Sequence, residues 1–101
     1  MKKAIIIGSG IAGIASAIRL KGMGYDVSVF EANSYPGGKL SEISVGSYRF
    51  DAGPSLFTLP NLVEDLISST GKSPSDYFKY EKRDVICNYF WEDGTVFSAD
   101  S

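Results

Sequence analysis

Histidine is absent from this chain, and cysteine occurs once, at Cys87. Without histidine, neither a Ser-His-Asp nor a Cys-His nucleophile system can be assembled from these residues, and the imidazole ligands of most catalytic metal sites are missing. A single thiol closes neither an internal disulfide nor a thiolate zinc cage, so no metal site is expected and the chain suits a reducing compartment. No apolar run approaches the roughly 20 residues of a membrane-crossing helix. Basic charge is scarce as well: the net charge is -2, and residues 51–101 carry four Lys/Arg against nine Asp/Glu, whereas residues 1–50 carry six against three. Nucleic acid is therefore not an expected partner. Chemistry has to come from a bound cofactor or from residues beyond these 101.

What is present is ordinary globular composition, 44% apolar and 22% charged, arranged in a telling order. Lys3 to Ile7 is a short β-branched run of the kind buried on both faces of a parallel sheet. From Ile11 the period changes to that of a helix, with Ile11, Ile14, Ala15 and Ile18 on one face and Gly22 and Gly24 as the stop. Asp26 to Glu31 returns to strand, giving a β-α-β crossover within about 30 residues, with the two strands expected to be parallel. Met1-Lys2-Lys3 and the small trio Ala15-Ser16-Ala17 imitate a secretory signal. Glycines at 8, 10 and 13 interrupt its apolar stretch, and cleavage would remove the strand and turn that the pattern needs.

Between the first strand and the helix stands Gly8-Ser9-Gly10-Ile11-Ala12-Gly13. A strand that stops, a turn without side chains and a helix beginning against an anion are what a dinucleotide pyrophosphate requires. Gly8 is read as avoiding a collision in the tight turn, Gly10 as admitting the pyrophosphate and Gly13 as letting the helix lie on the strand. Backbone N–H groups near Ile11 and Ala12, with the positive end of the helix, would face the phosphates. Glu31, ending the second strand, is placed to accept the ribose hydroxyls and to repel a 2′-phosphate. Gly37-Gly38-Lys39 would bring backbone and a cation to the phosphate side.

Further along, Ser41–Val45 and Tyr48–Asp51 flank the hairpin signal Gly46-Ser47, and Ala52 to Ser55 reads as irregular chain. A helix is expected around Pro60, with Leu62, Val63, Leu66 and Ile67 on one face and an end near Gly71. A second hairpin is expected from Val85–Trp91 and Thr95–Ser98 about Glu92-Asp93-Gly94. Thr70-Gly71-Lys72-Ser73 ends like a P-loop, but Leu66 stands where that motif needs its first glycine. Tyr89, Phe90, Trp91 and Phe97 are read as sheet packing in preference to a ligand cavity, and Cys87 as a small core residue. Two parallel strands, one crossover helix and two hairpins make a poor closed domain, so the chain is expected to be the N-terminal piece of a longer polypeptide.

Read in order, Gly8-x-Gly10-x-x-Gly13, Glu31-Ala32, Pro36-Gly37-Gly38-Lys39 and Phe50-Asp51-Ala52-Gly53-Pro54 make the chain resemble the N-terminus of phytoene desaturase-type (carotenoid desaturase) flavoproteins, within the amine-oxidase-like FAD family. The resemblance implies an α/β fold: a Rossmann-like βαβ FAD-binding segment followed by β-hairpins and a helix, part of an incomplete two-domain flavoprotein. Residues 1–58 would begin the FAD-binding domain and residues 59–101 the substrate domain. It implies that Gly8, Gly10, Ile11, Ala12 and Gly13 hold the FAD pyrophosphate, that Glu31 and Ala32 meet the adenosine ribose, and that Gly38 and Lys39 flank the cofactor. Gly53, Pro54 and Ser55 would approach the flavin ring side. Lys39 departs from the arginine usual after the glycine pair, keeping the charge but losing the planar fork.

The implied activity is FAD-dependent desaturation of phytoene or a related carotenoid or isoprenoid, with oxygen or a quinone as electron acceptor, in a cytoplasmic protein peripheral to the membrane. No catalytic residue is named by the pattern. Another amine-oxidase-like flavoenzyme, such as an amine oxidase or retinoid saturase, and a non-catalytic nucleotide-binding module remain alternatives. An NAD-dependent oxidoreductase fits less well, since a polar Pro/Gly loop replaces its second crossover helix. The steric reading of the turn predicts that Gly10→Val abolishes cofactor retention while strand and helix still form; a yellow, flavin-loaded variant would refute it.

Overall fold

In the computed structural model, which describes residues 1–100, strand β1 (Lys3–Ile7) leads through a glycine turn into helix α1 (Ile11–Gly22) and back into β2 (Asp26–Phe30). The two strands pair in parallel, Lys3 opposite Asp26 through to Ile7 opposite Phe30, as the crossover pattern requires. Beyond the ladder, the Gly8 N–H still bonds the Phe30 carbonyl at 2.7 Å, so pairing runs into the turn itself. The α/β class and the Rossmann-like βαβ start expected from the sequence are thus present.

Helix α1 packs on both strands through half-buried Ile14, Ala15, Ala17 and Ile18. Ile11, expected on that face, is 58% exposed at the first helical position. The helix ends where the glycines predict. Met23 N–H bonds the carbonyls of Arg19 and Leu20, Gly24 adopts φ +86°, and Arg19 and Lys21 set positive charge against the carboxyl end of the helix dipole.

Strands β3 (Glu42–Val45) and β4 (Tyr48–Asp51) form the first antiparallel hairpin, turning at Gly46 and Ser47. On one face Arg49 bridges Glu42 and Asp51, the latter at 3.1 Å. Helix α2 (Pro60–Ser68) starts at its proline, with half-buried Val63, Leu66 and Ile67 on the expected face, while Leu62 stays 59% exposed. A single 3-10 turn at Pro74–Asp76, not anticipated from the sequence, follows.

The last hairpin differs from expectation at its boundaries. Strand β5 is Val85–Phe90 and β6 is Val96–Asp100, with an irregularity between Val85 and Cys87. Trp91 and Thr95, expected inside the strands, close the turn through a Trp91 N–H to Thr95 carbonyl bond of 3.0 Å. The aromatics pack on one another as expected: Tyr89 lies 6.1 Å from Trp91 and 6.0 Å from Phe97, centroid to centroid. Cys87 is only half-buried, so it is not a core residue of these elements.

No hydrophobic side chain among the described residues is fully buried. The surface area is 8402 Å² and the radius of gyration 17.9 Å. A closed domain of this mass would expose about 5,600 Å² and have a radius of gyration near 13 Å. β1 shows the reason. Ala4 and Ile6 are half-buried toward α1, but Ile5 and Ile7 are 69% and 89% exposed, so the two-sided burial expected for this strand is one-sided here. Among the described residues no helix is long and apolar enough to cross a membrane.

Within the β1-α1-β2 crossover, Gly13 carries the tightest packing. A Cβ there would overlap the Gly8 carbonyl and press Ile6, whereas one at Gly22 would meet nothing. Gly→Ala gains about 1 kcal/mol of helix propensity, but overpacking against backbone costs about 3 kcal/mol. Gly13→Ala should therefore lower the urea midpoint of the intact protein by about 2 kcal/mol of stability, and Gly22→Ala should raise it slightly. Equal midpoints for the two variants would refute this account of helix–strand packing.

Candidate functional site

The glycine turn brings the end of β1, the start of α1 and the end of β2 to one point. Gly8 adopts φ +97°, a conformation that L side chains rarely take. An added Cβ would meet nothing within 4 Å, so the constraint at Gly8 is conformational and not the collision expected from the sequence. At Gly10, the residue preceding α1, a Cβ would also point into open space. Helix α1 receives no side-chain cap and carries no acidic residue in its first turn; Ile14 is the first N–H to bond back, to the Gly10 carbonyl at 3.0 Å. Ile11 and Ala12 lie exposed at that terminus. Uncapped N–H groups, a positive helix end and no side chain in front suit an anion.

The Pro36-Gly37-Gly38 loop folds back onto this turn. Gly37 N–H bonds the Ser9 carbonyl at 2.8 Å, and Gly10 and Gly37 form a parallel bridge. Gly37 sits at φ +111°, and a Cβ on Gly38 would stand 3.1 Å from the Gly10 Cα. Gly53 then backs onto the Lys39 carbonyl so closely that any side chain would overlap it. Gly8, Gly10, Gly13, Gly37, Gly38, Lys39 and Gly53 thus form one continuous wall. The Lys39 side chain is exposed and has no ion-pair partner among the described residues.

Glu31 is the charged centre. Its Oε2 accepts the Ser9 N–H at 2.7 Å and the Ser9 hydroxyl at 2.8 Å. Its Oε1 accepts the Asn33 N–H at 2.9 Å and the Asn33 side-chain amide at 3.0 Å. The Asn33 and Ser9 backbone donors, then the Ser9 hydroxyl, hold the carboxyl at about 2, down from an ordinary 4.5. Ser9 is the one polar residue buried among those described, 7% exposed. Sequence reasoning passed over both partners. Ser9 occupies the variable position of the glycine motif, and Asn33, two residues beyond a carboxylate, carries a local side-chain-to-backbone pairing signal.

A cavity of about 310 Å³ opens beside the carboxylate, lined by Ser9, Val29, Glu31, Asn33, Ser34, Tyr35 and Pro36. A larger one, about 510 Å³, lies between the loop and the first hairpin, with Tyr35, Pro36, Leu40, Arg49, Asp51 and Pro54 among its walls. Tyr35 and Pro36 border both, which the sequence did not suggest. Of the expected site residues, Glu31 lines the first cavity and Pro54 the second, while Gly8, Gly10, Ile11, Ala12, Gly13, Ala32, Gly38, Lys39, Gly53 and Ser55 line neither. None of the hairpin aromatics Tyr89, Phe90, Trp91 and Phe97 lines a cavity.

Residues 6–69 match the model of a protein family described as NAD(P)-binding Rossmann-like domain. The chain is 62% identical over 99 residues to 1-hydroxycarotenoid 3,4-desaturase of a Flavobacterium species, an alignment covering 98% of this chain and 20% of that protein. It is 39% identical over 95 residues to 4,4'-diaponeurosporene oxygenase of Staphylococcus haemolyticus, covering 94% and 19%. Carotenoid 3,4-desaturase of Haloarcula japonica is 37% identical over 89 residues, covering 88% and 18%. The chain spans about one fifth of the length of the curated relatives it matches.

The Glu31 network sets a pH dependence. Because the folded carboxyl is depressed, its contribution to stability is present above about pH 4.5 and is lost as pH falls from there toward about 2. An NMR titration of the side-chain carboxyl should give a midpoint near 2, and Ser9→Ala with Asn33→Ala should raise it toward 4.5 without reaching it, since two backbone donors remain. A midpoint that ignores the double substitution would refute the role of the two side chains.

Proposed function

The chain belongs to the family of NAD(P)-binding Rossmann-like domains, and from that premise we propose that it supplies the dinucleotide-binding start of an FAD-dependent desaturase acting on carotenoid-type polyenes. The observation that carries the cofactor reading is the glycine wall with Glu31 at its end: an uncapped helix terminus beside side-chain-free Gly10, and a carboxylate that stays ionised 22 residues on from Ser9. The polar Pro/Gly loop after β2, folded onto the turn where a second crossover helix would run, supports FAD over NAD. The substrate class is supported by the names of two relatives, a 1-hydroxycarotenoid 3,4-desaturase and a carotenoid 3,4-desaturase.

In this reading Gly8, Gly10, Ile11, Ala12 and Gly13 receive the pyrophosphate by backbone N–H donation and the helix dipole. Glu31 accepts the adenosine ribose hydroxyls with Ala32 beside it, and its fixed charge rejects a 2′-phosphate. Gly38 and Lys39 flank the phosphates, the lysine as a point charge. Gly53, held on Lys39, carries Pro54 and Ser55 toward the flavin ring side. In the same reading residues 1–58 open the FAD-binding domain and residues 59–101 begin the substrate domain, while the family match runs on through α2 to residue 69.

When bound, FAD supplies a two-electron acceptor for a hydride leaving an allylic C–H, while a proton leaves the adjacent carbon and the new double bond forms between them. Oxygen or a quinone would serve as the electron acceptor. The polyene dissolves in lipid, so the enzyme works at the membrane surface.

Desaturation stands ahead of oxygen insertion on the 62% relative alone, since the other desaturase, at 37%, stands level with the oxygenase at 39%. The intact protein should release FAD on denaturation and convert phytoene or another acyclic carotenoid in liposomes to a product with longer conjugation and fewer hydrogens. A product that gains oxygen would make it an oxygenase. FAD with every polyene returned unchanged would end the desaturase reading and keep the flavoenzyme, and release of NAD would end the flavin reading.

A further inference from the structure

A carboxylate offers about four acceptor sites on its two oxygens. In this chain all four are taken by the chain itself: the N–H and hydroxyl of Ser9 on Oε2, the N–H and side-chain amide of Asn33 on Oε1. A ribose that is to give both hydroxyls to Glu31 must take over two of these sites. The backbone donors are fixed by the turn and by the end of β2, so the exchangeable partners are the Ser9 hydroxyl and the Asn33 amide.

Those two are not equivalent. Ser9 touches the cavity but is only 7% exposed, so its hydroxyl meets far less solvent than the Asn33 amide if it leaves the carboxylate. Asn33 is exposed, at the wall of the 310 Å³ cavity, and its amide can rotate into solvent and keep its hydrogen bonds there. The cavity that Glu31 lines is also where Val29, Ser34, Tyr35 and Pro36 leave room for a nucleoside.

We propose that Asn33 is an affinity-setting plug on the ribose carboxylate: its side-chain amide competes with the ribose hydroxyls for Glu31 Oε1, while Ser9 grips Oε2 from the buried side and stays. The proposal rests on the ribose reading of Glu31 and adds a residue that the glycine and glutamate motifs do not include. A competing donor lowers apparent affinity by the fraction of time it holds the site. The chemistry singles out ligands with vicinal hydroxyls, because only they need the acceptor that Asn33 holds.

The test is calorimetric titration of the flavin-stripped intact protein with ADP and with 2′,3′-dideoxy-ADP. Asn33→Ala should bind ADP about threefold to tenfold more tightly, the range of one net hydrogen bond, and should leave dideoxy-ADP unchanged. Weaker or unchanged ADP binding by this variant overturns the plug, as does equal tightening of both nucleotides. Ser9→Ala should move ADP affinity the other way, and a Ser9→Ala protein that tightens as much as Asn33→Ala removes the assignment to Asn33. Asn33→Ala protein that binds the two nucleotides alike overturns the ribose reading itself, whereas discrimination equal to that of the wild type overturns only the plug.

Discussion

One carboxylate fastens this end of the molecule. Through Ser9 it holds the turn that leaves β1, through Asn33 it holds the chain that leaves β2, and both grips lie at hydrogen-bond distances of 2.7–3.0 Å. Parallel strands have no hairpin to fix their ends, so something must hold the turn against its neighbour. Here the fastening group is also the one that a sugar would use. Donors to its ionised form push its proton off, so the charge that fixes the fold is present at any physiological pH.

The glycines do different work at different positions, although the motif writes them alike. Gly8 supplies a backbone angle, Gly13 and Gly53 allow contact with a carbonyl, and Gly10 leaves open space in front of the helix. Gly38 lets the second loop come down on the first, and Gly37 completes the junction through the Ser9 carbonyl. Removing side chains at these points lets three backbone segments approach within van der Waals distance. The approach leaves N–H groups as the principal donors facing outward, which favours a ligand rich in acceptor oxygens over an apolar one.

The local elements were legible because each is set by residues close in sequence. The Ile5-Ile6-Ile7 run, the glycines that bracket α1, Pro60 at the head of α2 and Gly46 in the first hairpin all act within a few positions, and each element stands where its signal placed it. The partners of Glu31 were not legible to the same degree. Ser9 meets it across 22 residues, and only the pairing of β1 with β2 brings them together. Exposure was misread for a related reason: periodicity tells which residues share a face but not what covers that face, so Ile7, Ile11 and Leu62 were placed inward and lie open. The ends of the last hairpin moved because Trp91 and Thr95 close the turn in place of extending the ladder.

Geometry and stability therefore have different sources in this chain. The candidate site is shaped by hydrogen bonds and backbone contacts confined to residues 8–53, and none of these needs a closed core. Stability does, because burying one large aliphatic side chain is worth about 1.5–3 kcal/mol, more than a typical net hydrogen bond of about 1 kcal/mol. Ile5, Ile7, Val29 and Phe30 are all more than 40% exposed on the strands that carry the site. A surface that covered these strands would contribute more to holding them together than the turn does, without setting where Glu31 and the glycine wall stand relative to each other. A dinucleotide signature is thus readable in a short stretch of sequence because its geometry is set by local hydrogen bonds and backbone contacts and not by a buried core.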